Sequence, residues 1–290
     1  MNSLSPVSAQ NPQSLLPETC TGISLEELNA KAAMQTRIDR KYIVDALTAS
    51  RILQELPTNA QVLEINGVRE FAYDSVYFDT PKLSSYMLAA LGRRNRYKVR
   101  TRSYLDTGAT YLEVKTEGAR AVTVKERIEY PTRDRARLNA EGLAYVGESL
   151  TGLLDEDPSR FSPVLTTGYR RTTVFLPESA NNPIDARMTI DTSLTWTPMS
   201  EFALSSHLPY REGTEYTAPG MVIIETKSGT APSIADKMLW RGGVRPTKIS
   251  KFATGMAALN PYLPSNKWHR TIARSMQLVP REQAVVAKAA

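Results

Sequence analysis

Arginine and lysine residues recur at alternate positions in several short segments of this sequence. Lys98, Arg100 and Arg102, for example, alternate with uncharged residues. Because successive side chains of a β-strand point to opposite faces, these three cations share one face of a predicted strand. Arginine binds phosphate oxygens through two parallel hydrogen bonds, and lysine adds a compact positive charge. The spacing therefore indicates a site for a ligand that carries phosphate groups.

The same alternation recurs on about seven predicted strands, which are enough to close a barrel. A single strand of this kind is usually the solvent-facing side of an antiparallel sheet. Here the charged faces are mainly cationic, whereas an ordinary solvated face mixes both signs of charge. Like charges on neighbouring strands repel, so a multiply charged anion is the expected partner. The charged residues that share strand faces also include Arg37, Asp39 and Lys41; Glu113 and Lys115; Lys125 and Arg127; Arg171; Arg187 and Asp191; and Glu225 and Lys227.

We therefore predict an α+β fold, in which a closed antiparallel β-barrel has a basic lumen and flanking helices. Residues 1–22 are rich in Ser, Pro, Asn and Gln and are predicted to be disordered. Residues 23–262 are assigned to the barrel domain and residues 263–290 to a basic C-terminal tail. Helices are predicted to begin near Ile23, to run from Thr48 to about Leu56, and to run from Ser250 to Leu259, with a long loop between Ser200 and Gly220.

Composition limits the classes of protein that this chain can represent. Its 290 residues carry a net charge of +6 and have a pI of about 9.3, which suits an anionic partner. Cys20 is the single cysteine, so no disulfide can form within the chain. The N-terminal residues have no apolar run, and no stretch approaches the ~18 apolar residues of a membrane span. We expect a soluble, cytoplasmic protein.

Several common chemistries lack their residues here. The two histidines, His207 and His269, do not have the spacing of metal ligands, and Cys20 has no nearby histidine to activate it. The sequence contains neither a Walker A motif nor a Gly-x-Gly-x-x-Gly fingerprint. These observations disfavour zinc, thiol and P-loop chemistry.

Between Ile23 and Tyr262 the sequence resembles the VTC domain, the polyphosphate polymerase domain of the vacuolar transporter chaperone complex. That domain belongs to the triphosphate tunnel metalloenzyme superfamily, so the resemblance implies a tunnel of about eight strands. No single motif is diagnostic, but their shared order along the chain is fairly specific. The motifs are RIDRKY (37–42), SVYFDT (75–80), VRTRSY (99–104), LEVK (112–115), KER (125–127), YRR (169–171), RMTIDT (187–192), IETK (224–227) and KISKF (248–252).

The resemblance also implies roles for individual residues. Glu225 matches the acid that ligates a divalent metal, Mn²⁺ or Mg²⁺, and the cluster from Lys248 to Lys251 matches the tunnel mouth. The residues assigned to catalysis are Lys41, Arg100, Arg102, Lys115 and Arg187. The residues assigned to phosphate binding are Arg37, Lys125, Arg127, Arg171, Lys227, Lys248, Ser250 and Lys251.

The first strand departs from the pattern of hydrolytic tunnel enzymes. Those enzymes carry Glu-x-Glu-x-Lys, whereas this chain has Arg37, Asp39 and Lys41 at the matching positions. Loss of the first carboxylate weakens metal binding on that strand, because hard divalent cations need oxygen ligands. VTC domains depart in the same way, which favours a polymerase over a triphosphatase or a cyclase.

The expected function is therefore metal-dependent transfer of the γ-phosphate of ATP to a growing polyphosphate chain. Two alternatives remain open: a tunnel hydrolase that cleaves inorganic or nucleoside triphosphate, and a non-catalytic module that binds polyphosphate. ATP and polyphosphate are the expected partners. Nucleic acid is disfavoured, because a duplex cannot enter a small barrel. The chain is expected not to span a membrane but to work beside a separate membrane protein.

Overall fold

The computed structural model describes residues 15–31, 38–117, 123–154, 156–180, 184–199 and 210–284. The chain divides into two compact units. Unit 1 comprises Met1–Phe71, Arg170–Thr192 and Gly220–Thr247. Unit 2 comprises Ala72–Tyr169, Ser193–Pro219 and Lys248–Ala290.

Strands predominate among the described elements, and short helices interrupt them. The strands are β1 (Thr21–Ile23), β2 (Ile38–Asp45), β3 (Gln61–Leu63), β4 (Glu70–Asp79), β5 (Arg96–Tyr104), β6 (Thr110–Glu117), β7 (Thr123–Glu129), β8 (Ser162–Leu176), β9 (Ala186–Pro198), β10 (Tyr216–Thr217), β11 (Met221–Ser228) and β12 (Val279–Pro280). The helices are α1 (Leu25–Lys31), α2 (Ala46–Leu53), α3 (Ser84–Ala90), α4 (Ala140–Ser149), α5 (Ile234–Arg241), α6 (Lys251–Leu259) and α7 (His269–Ser275).

The three predicted helices are confirmed with small shifts of their ends. Ser24 and Glu27 form the predicted capping box before α1, with the Glu27 N–H donating to Ser24 Oγ at 3.2 Å. Helix α2 begins two residues earlier than predicted, because Asp45 accepts a hydrogen bond from the Thr48 N–H and acts as its N-cap. Residues 200–209 of the predicted loop between Ser200 and Gly220 lie outside the described residues, and the rest contains the two-residue strand β10. The N-terminal segment up to residue 14 also lies outside the described residues.

The twelve strands form one sheet, and the predicted closed barrel is wrong. The strand order is β12-β10-β9-β8-β4-β5-β6-β7, with β11 joining β9 to β2 and β3 joining β8 to β1. Among the described residues β7 pairs only with β6, and β2 pairs only with β11, so no pairing between these two strands closes the sheet. Alternation in a sequence reports which face a side chain occupies. It carries no information on whether two sheet edges share hydrogen bonds, and this is why the prediction of closure failed.

The core of unit 1 lies on one face of the antiparallel strands β2, β11 and β9. Tyr42 pairs with Ile224 and Ile224 with Ile190, and all three side chains are buried. They pack in one cluster with residues of α2 and α5, such as Leu53 and Leu239. The side chains at the alternate positions of these strands therefore point away from this core.

A buried carboxylate connects three elements of unit 1. Asp236 Oδ1 in α5 accepts hydrogen bonds of 2.6 Å from the Tyr42 hydroxyl in β2 and from Thr226 Oγ1 in β11. Its Oδ2 accepts from the Ser233 N–H at 2.7 Å and from Ser233 Oγ at 2.9 Å. Arg40 balances the charge, with its guanidinium nitrogen 3.5 Å from Oδ2. A carboxylate this well bonded fixes α5 against both strands.

The core of unit 2 lies on one face of strands β4 to β7. Along β5, buried side chains alternate with half-buried ones, and Val99 belongs to the buried set. It packs in one cluster with Leu112 and Val114 of β6 and with Val146 of α4. This core orients the strands, so the charged side chains at the alternate positions emerge on the other face.

Candidate functional site

The opposite face of unit 2 is lined by cations, and we call it the unit 2 cationic face. Strand register places Arg100 opposite Glu113, and Glu113 opposite Arg127. Two residue pairs further along the register, Lys98 lies opposite Lys115, and Lys115 opposite Lys125. The cations of this face are Lys98, Arg100, Arg102, Lys115, Lys125 and Arg127.

Glu113 is the buried centre of this face, with 2% of its side chain exposed. Arg100 donates to Glu113 Oε2 at 2.6 and 2.8 Å, and Lys125 Nζ lies 2.6 Å from Oε1. Burial raises the pKa of the Glu113 carboxyl, but Arg100 and Lys125 outweigh burial and hold that pKa below its ordinary value. Glu113 is therefore an anion that organises the surrounding cations.

Arg102 belongs to the same face but is held less tightly than Arg100. Its Nε lies 3.8 Å from Glu113 Oε2, beyond hydrogen-bonding distance. This nitrogen is buried and has no hydrogen-bond partner in the described part of the chain. Arg100, in contrast, also donates to the Tyr77 hydroxyl at 3.0 Å. Because an unpaired buried donor costs free energy, Arg102 is the cation best placed to gain from an anionic ligand.

The three lysines opposite one another on β5, β6 and β7 carry the same charge. Lys125 is neutralised in part by Glu113, and burial lowers the pKa of its ammonium group. Lys98 Nζ donates to Ser250 Oγ at 3.0 Å, and Lys115 is exposed. Like charges directly opposite each other destabilise a sheet, so this row favours a bound polyanion.

The N-terminus of α6 also lies at this face. Ser250 is the N-cap and accepts a hydrogen bond of 3.2 Å from the Ala253 N–H. Lys251 Nζ sits 4.4 Å above the Tyr169 ring, and Phe252 stacks on Tyr77 with ring centroids 4.9 Å apart. These contacts place the predicted cluster of Ser250 and Lys251 beside Lys98.

Unit 1 has a second face of this kind, which we call the unit 1 cationic face. In the register of β2, β11 and β9, Lys41 is opposite Glu225, and Lys227 is opposite Asp39 and Arg187. Lys227 donates a hydrogen bond to Glu225, and Lys41 Nζ lies 3.9 Å from the same carboxylate. The cations of this face are Lys41, Arg171, Arg187 and Lys227.

Glu225 stays ionised in these surroundings. Burial raises the pKa of its carboxyl, but Lys227, Lys41 and Arg171 together lower that pKa well below its ordinary value. Burial also lowers the pKa of Lys227, which Glu225 opposes. The pair is therefore held as ammonium and carboxylate by mutual attraction.

The other two cations of the unit 1 cationic face, Arg171 and Arg187, are bound by protein groups. Arg171 donates two hydrogen bonds to Asp191, at 2.6 and 2.8 Å, and Asp191 is fully buried. Arg187 donates to the Leu28 carbonyl at 3.1 Å. Both guanidinium groups are thus fixed in position before a ligand arrives, which lowers the entropic cost of binding.

Among the described residues, the acidic side chains could hold a metal ion only together with the oxygens of a bound ligand. No group of three or more His, Cys, Asp or Glu side chains could hold a metal among the described residues. Glu225 could supply one oxygen, and phosphate oxygens of a ligand the others, which is how Mg²⁺ is often held. The donor set fits a metal that binds together with phosphate.

The structure assigns each predicted site residue to a face or leaves it undescribed. Lys41, Arg171, Arg187, Glu225 and Lys227 belong to the unit 1 face. Arg37 lies outside the described residues. Those in unit 2 are Arg100, Arg102, Lys115, Lys125, Arg127, Lys248, Ser250 and Lys251, of which Lys248 is exposed at the end preceding α6.

Two residues of the unit 2 face were not assigned to the site from the sequence. Lys98 shares the alternation of Arg100 and Arg102, so its spacing alone could have included it. From the sequence, Glu113 is only one of the charged residues that share a strand face, because its role depends on three cations from β5 and β7 that surround it.

None of the helices in the described part of the chain combines the length and the apolar character that crossing a bilayer requires. His269 begins α7 and is exposed, whereas His207 lies outside the described residues.

A large, mainly antiparallel sheet with clustered cations defines a class of α+β protein suited to binding polyanions. The model of the VTC domain family matches residues 36–260, most of the sequence. The chain therefore belongs to the VTC domain family. This match confirms the resemblance to the VTC domain seen in the sequence.

Solved structures give weaker similarities, and no curated protein gives a significant match. A candidate adenylate cyclase from Vibrio parahaemolyticus is 10% identical, with a TM-score of 0.40 over 77% of this chain and 98% of that chain. A candidate adenylyl cyclase from Hippeastrum, described as having a dominant triphosphatase activity, is 14% identical, with a TM-score of 0.39 over 76% and 94%. A conserved hypothetical protein from Pyrococcus furiosus is 13% identical, with a TM-score of 0.34 over 71% and 87%. Similarities at this level carry no functional argument.

Proposed function

We propose that this chain is a polyphosphate polymerase, which uses ATP and a divalent metal to extend a chain of phosphates. The observation that carries the proposal is the unit 2 cationic face, where a single buried Glu113 is surrounded by Arg100, Arg102 and Lys125. Cations in this excess call for a ligand with several negative charges. Membership of the VTC domain family supports polyphosphate as that ligand.

Phosphoryl transfer requires mainly alignment of the reactants and stabilisation of charge. In the proposed reaction, a terminal oxygen of the growing chain attacks the γ-phosphorus of ATP. The bond between that phosphorus and the bridging oxygen breaks, ADP leaves with the electron pair, and the chain is one phosphate longer. The attacking oxygen is already anionic, so no base is needed to remove a proton.

The residues to which the resemblance assigns roles carry the groups that this reaction needs. Arg100, Arg102 and Lys115 would bind the phosphate oxygens, while Lys41 and Arg187 would stabilise the charge that develops during transfer. A divalent ion held through Glu225, Mn²⁺ or Mg²⁺, would neutralise charge on the transferred phosphate. The remaining residues that the resemblance assigns to phosphate binding would hold the rest of the two polyanions.

Hydrolysis of a triphosphate is the second candidate function, and Asp39 is the observation that favours it. Asp39 is an exposed carboxylate opposite Lys227 on the unit 1 face. A hydrolase must orient and help to deprotonate a water molecule, and a carboxylate can do so. In the polymerase, by contrast, Asp39 would only offset positive charge.

Incubation of the purified chain with ATP and Mn²⁺ or Mg²⁺ tests the proposal. The expected products are ADP and long phosphate chains resolved on a gel, with free phosphate as a minor product. Free phosphate in proportion to ADP, without chains, would identify a hydrolase. Tight polyphosphate binding without turnover would identify a binding module. The cytoplasmic location, the absence of nucleic-acid binding and the separate membrane partner stay predictions.

A further inference from the structure

Basic side chains continue beyond the unit 2 cationic face, at the end of β5 that carries Arg96. We call this group the basic rim; it consists of Arg93, Arg94, Arg96 and Lys267. We propose that the basic rim binds the part of a polyphosphate chain that extends beyond a triphosphate bound on the unit 2 face. The proposal rests on the proposed function, because the ligand is the same polymer.

The rim is continuous with the unit 2 face. Arg96 precedes Lys98 by two residues on β5, so the two side chains emerge on the same side of the strand. Lys98 in turn donates to Ser250 Oγ, which brings the start of α6 to this end of the strand. From Arg102 to Arg96 the cations of β5 extend over about 20 Å at the usual rise of a strand. That length exceeds a triphosphate, so a longer chain is needed to contact all of them.

Backbone contacts hold the rim cations in place. Arg96 donates to the Arg93 carbonyl at 2.9 Å and pairs with Glu117, and Lys267 Nζ donates to the Ala89 carbonyl at 3.1 Å. The turn that carries Arg93 and Arg94 leaves both side chains exposed.

Two residues of this turn have left-handed backbone conformations, with φ of +65° at Gly92 and +58° at Asn95. Glycine and asparagine adopt this conformation at low cost, so the turn is compatible with its sequence. The exposed arginines are therefore presented by a defined loop geometry.

Glu117 pairs with Arg96 and offsets only part of the positive charge of the four rim cations. Burial lowers the pKa of Lys267, and the positive charges of Arg96 and Lys248 lower it further, while Glu117 opposes them. A phosphate chain would supply the negative charge that offsets this repulsion. The same chain would already be neutralising the row of Lys98, Lys115 and Lys125, which is why a continuous polymer suits the rim better than an unrelated anion.

The test compares two ligands of different length, tripolyphosphate and a polyphosphate of several tens of residues, by calorimetry. In the double variant Arg94→Ala/Lys267→Ala, the affinity for the long chain should fall about tenfold, as expected for the loss of two exposed ion pairs. The affinity for tripolyphosphate should stay unchanged. Arg94→Gln/Lys267→Gln provides a second variant if the alanine pair does not fold, as judged by thermal unfolding.

Arg133→Ala/Arg135→Ala is the matched control, because it also removes two exposed arginines. Thr101 Oγ1 donates to the Arg135 carbonyl, and Thr101 points to the face of β5 opposite Arg100 and Arg102. The control should bind both ligands as the unchanged chain does.

The proposal would be overturned if the rim variant lost affinity equally for both ligands, or if its affinity for the long chain were unchanged. A control that loses as much long-chain affinity as the rim variant would also overturn it. If the unchanged chain binds both ligands and the rim variant loses only long-chain affinity, yet ATP yields neither ADP nor phosphate chains, the proposed function fails and the rim assignment stands.

Discussion

Arg100 and Arg102 point to the same face of β5, yet the protein holds them differently. Arg100 is bound by Glu113 and Tyr77, whereas Arg102 Nε has no hydrogen-bond partner in the described part of the chain. Sequence spacing treats the two residues as equivalent. Their difference arises from the position of Glu113 on the neighbouring strand, which is closer to Arg100.

The first prediction follows from this difference. Arg102→Ala should weaken tripolyphosphate binding by about 2–3 kcal/mol, the loss of a charge-assisted hydrogen bond to a partly buried anion. It should not lower the thermal midpoint of the ligand-free protein, because the lost side chain made no hydrogen bond through Nε. Arg100→Ala should also weaken binding but should destabilise the free protein, since Glu113 loses a cation that donates two hydrogen bonds to it. Unchanged binding in both variants, measured by calorimetry, would contradict a phosphate-binding role.

Glu225 separates metal-dependent turnover from phosphate binding. The Glu225→Gln variant should lose ADP release with Mn²⁺, because an amide oxygen is a poorer ligand for a hard cation. Its tripolyphosphate affinity without metal should be retained, since Lys227 and Lys41 remain in place. Full turnover in this variant would remove Glu225 from the site. Lys237→Gln, which changes an exposed lysine on α5, is the control for a general effect of substitution.

Glu113 makes the stability of unit 2 depend on pH. The pKa of Glu113 is lower in the folded chain than its ordinary value. The ionised carboxylate therefore stabilises the fold at every pH above that ordinary pKa. This stability is lost as the pH falls through the lower, folded pKa. Glu113→Gln should cost about 3 kcal/mol at neutral pH, the cost of breaking a buried ion pair. The difference in the free energy of unfolding between the unchanged chain and the Glu113→Gln variant, measured with urea, should become smaller in acid. A difference that is independent of pH would contradict the ionised state of Glu113.

At the scale of elements, the Asp236 carboxylate connects α5 to the two strands that carry Lys41 and Glu225. Tyr42 directly follows Lys41, and Thr226 directly follows Glu225; both donate to Asp236 from the core side. These bonds restrict the strands at the residues next to the charged pair. The alignment of Lys41 with Glu225 thus depends on a group on the other side of the sheet.

Two substitutions of Thr226, each by a side chain of similar size, test this connection. Thr226→Val removes the hydroxyl and leaves a buried carboxylate with one donor fewer, which should cost about 1–3 kcal/mol of stability and lower turnover. Thr226→Ser keeps the hydroxyl and should retain most of the turnover. Urea unfolding and ADP release measured on both variants check the result. Equal turnover in the two variants would show that the hydrogen bond does not affect the site.

The helices illustrate how much local sequence decides. Ser24 and Ser250 each begin the helix that their spacing indicates, because an N-cap satisfies backbone donors within a few residues. Asp45 caps α2 and moves its start two residues ahead of the predicted one. Strand faces are equally local, since alternation depends only on the pleat. Cation positions on β5 and β6 follow directly from it.

At the scale of the whole molecule, the net charge of +6 adds to the fields of the cationic faces. Tripolyphosphate affinity should therefore decrease as NaCl rises from about 0.05 M to about 0.5 M, because screening weakens attraction between exposed charges. Calorimetry at several salt concentrations measures the effect. An affinity independent of salt would indicate that ordinary hydrogen bonds, rather than charge, hold the ligand.

The sequence by itself determined the family, the three predicted helices and the faces on which cations such as Arg100 lie, because these depend on residue order and local geometry. Only the tertiary structure decided that β2 and β7 are not paired with each other among the described residues, because strand pairing depends on residues distant in sequence. It also decided the partners of each cation. Glu113 holds Arg100 and Lys125 but leaves Arg102 Nε without a hydrogen bond, since the distances across three strands depend on how the sheet twists and packs.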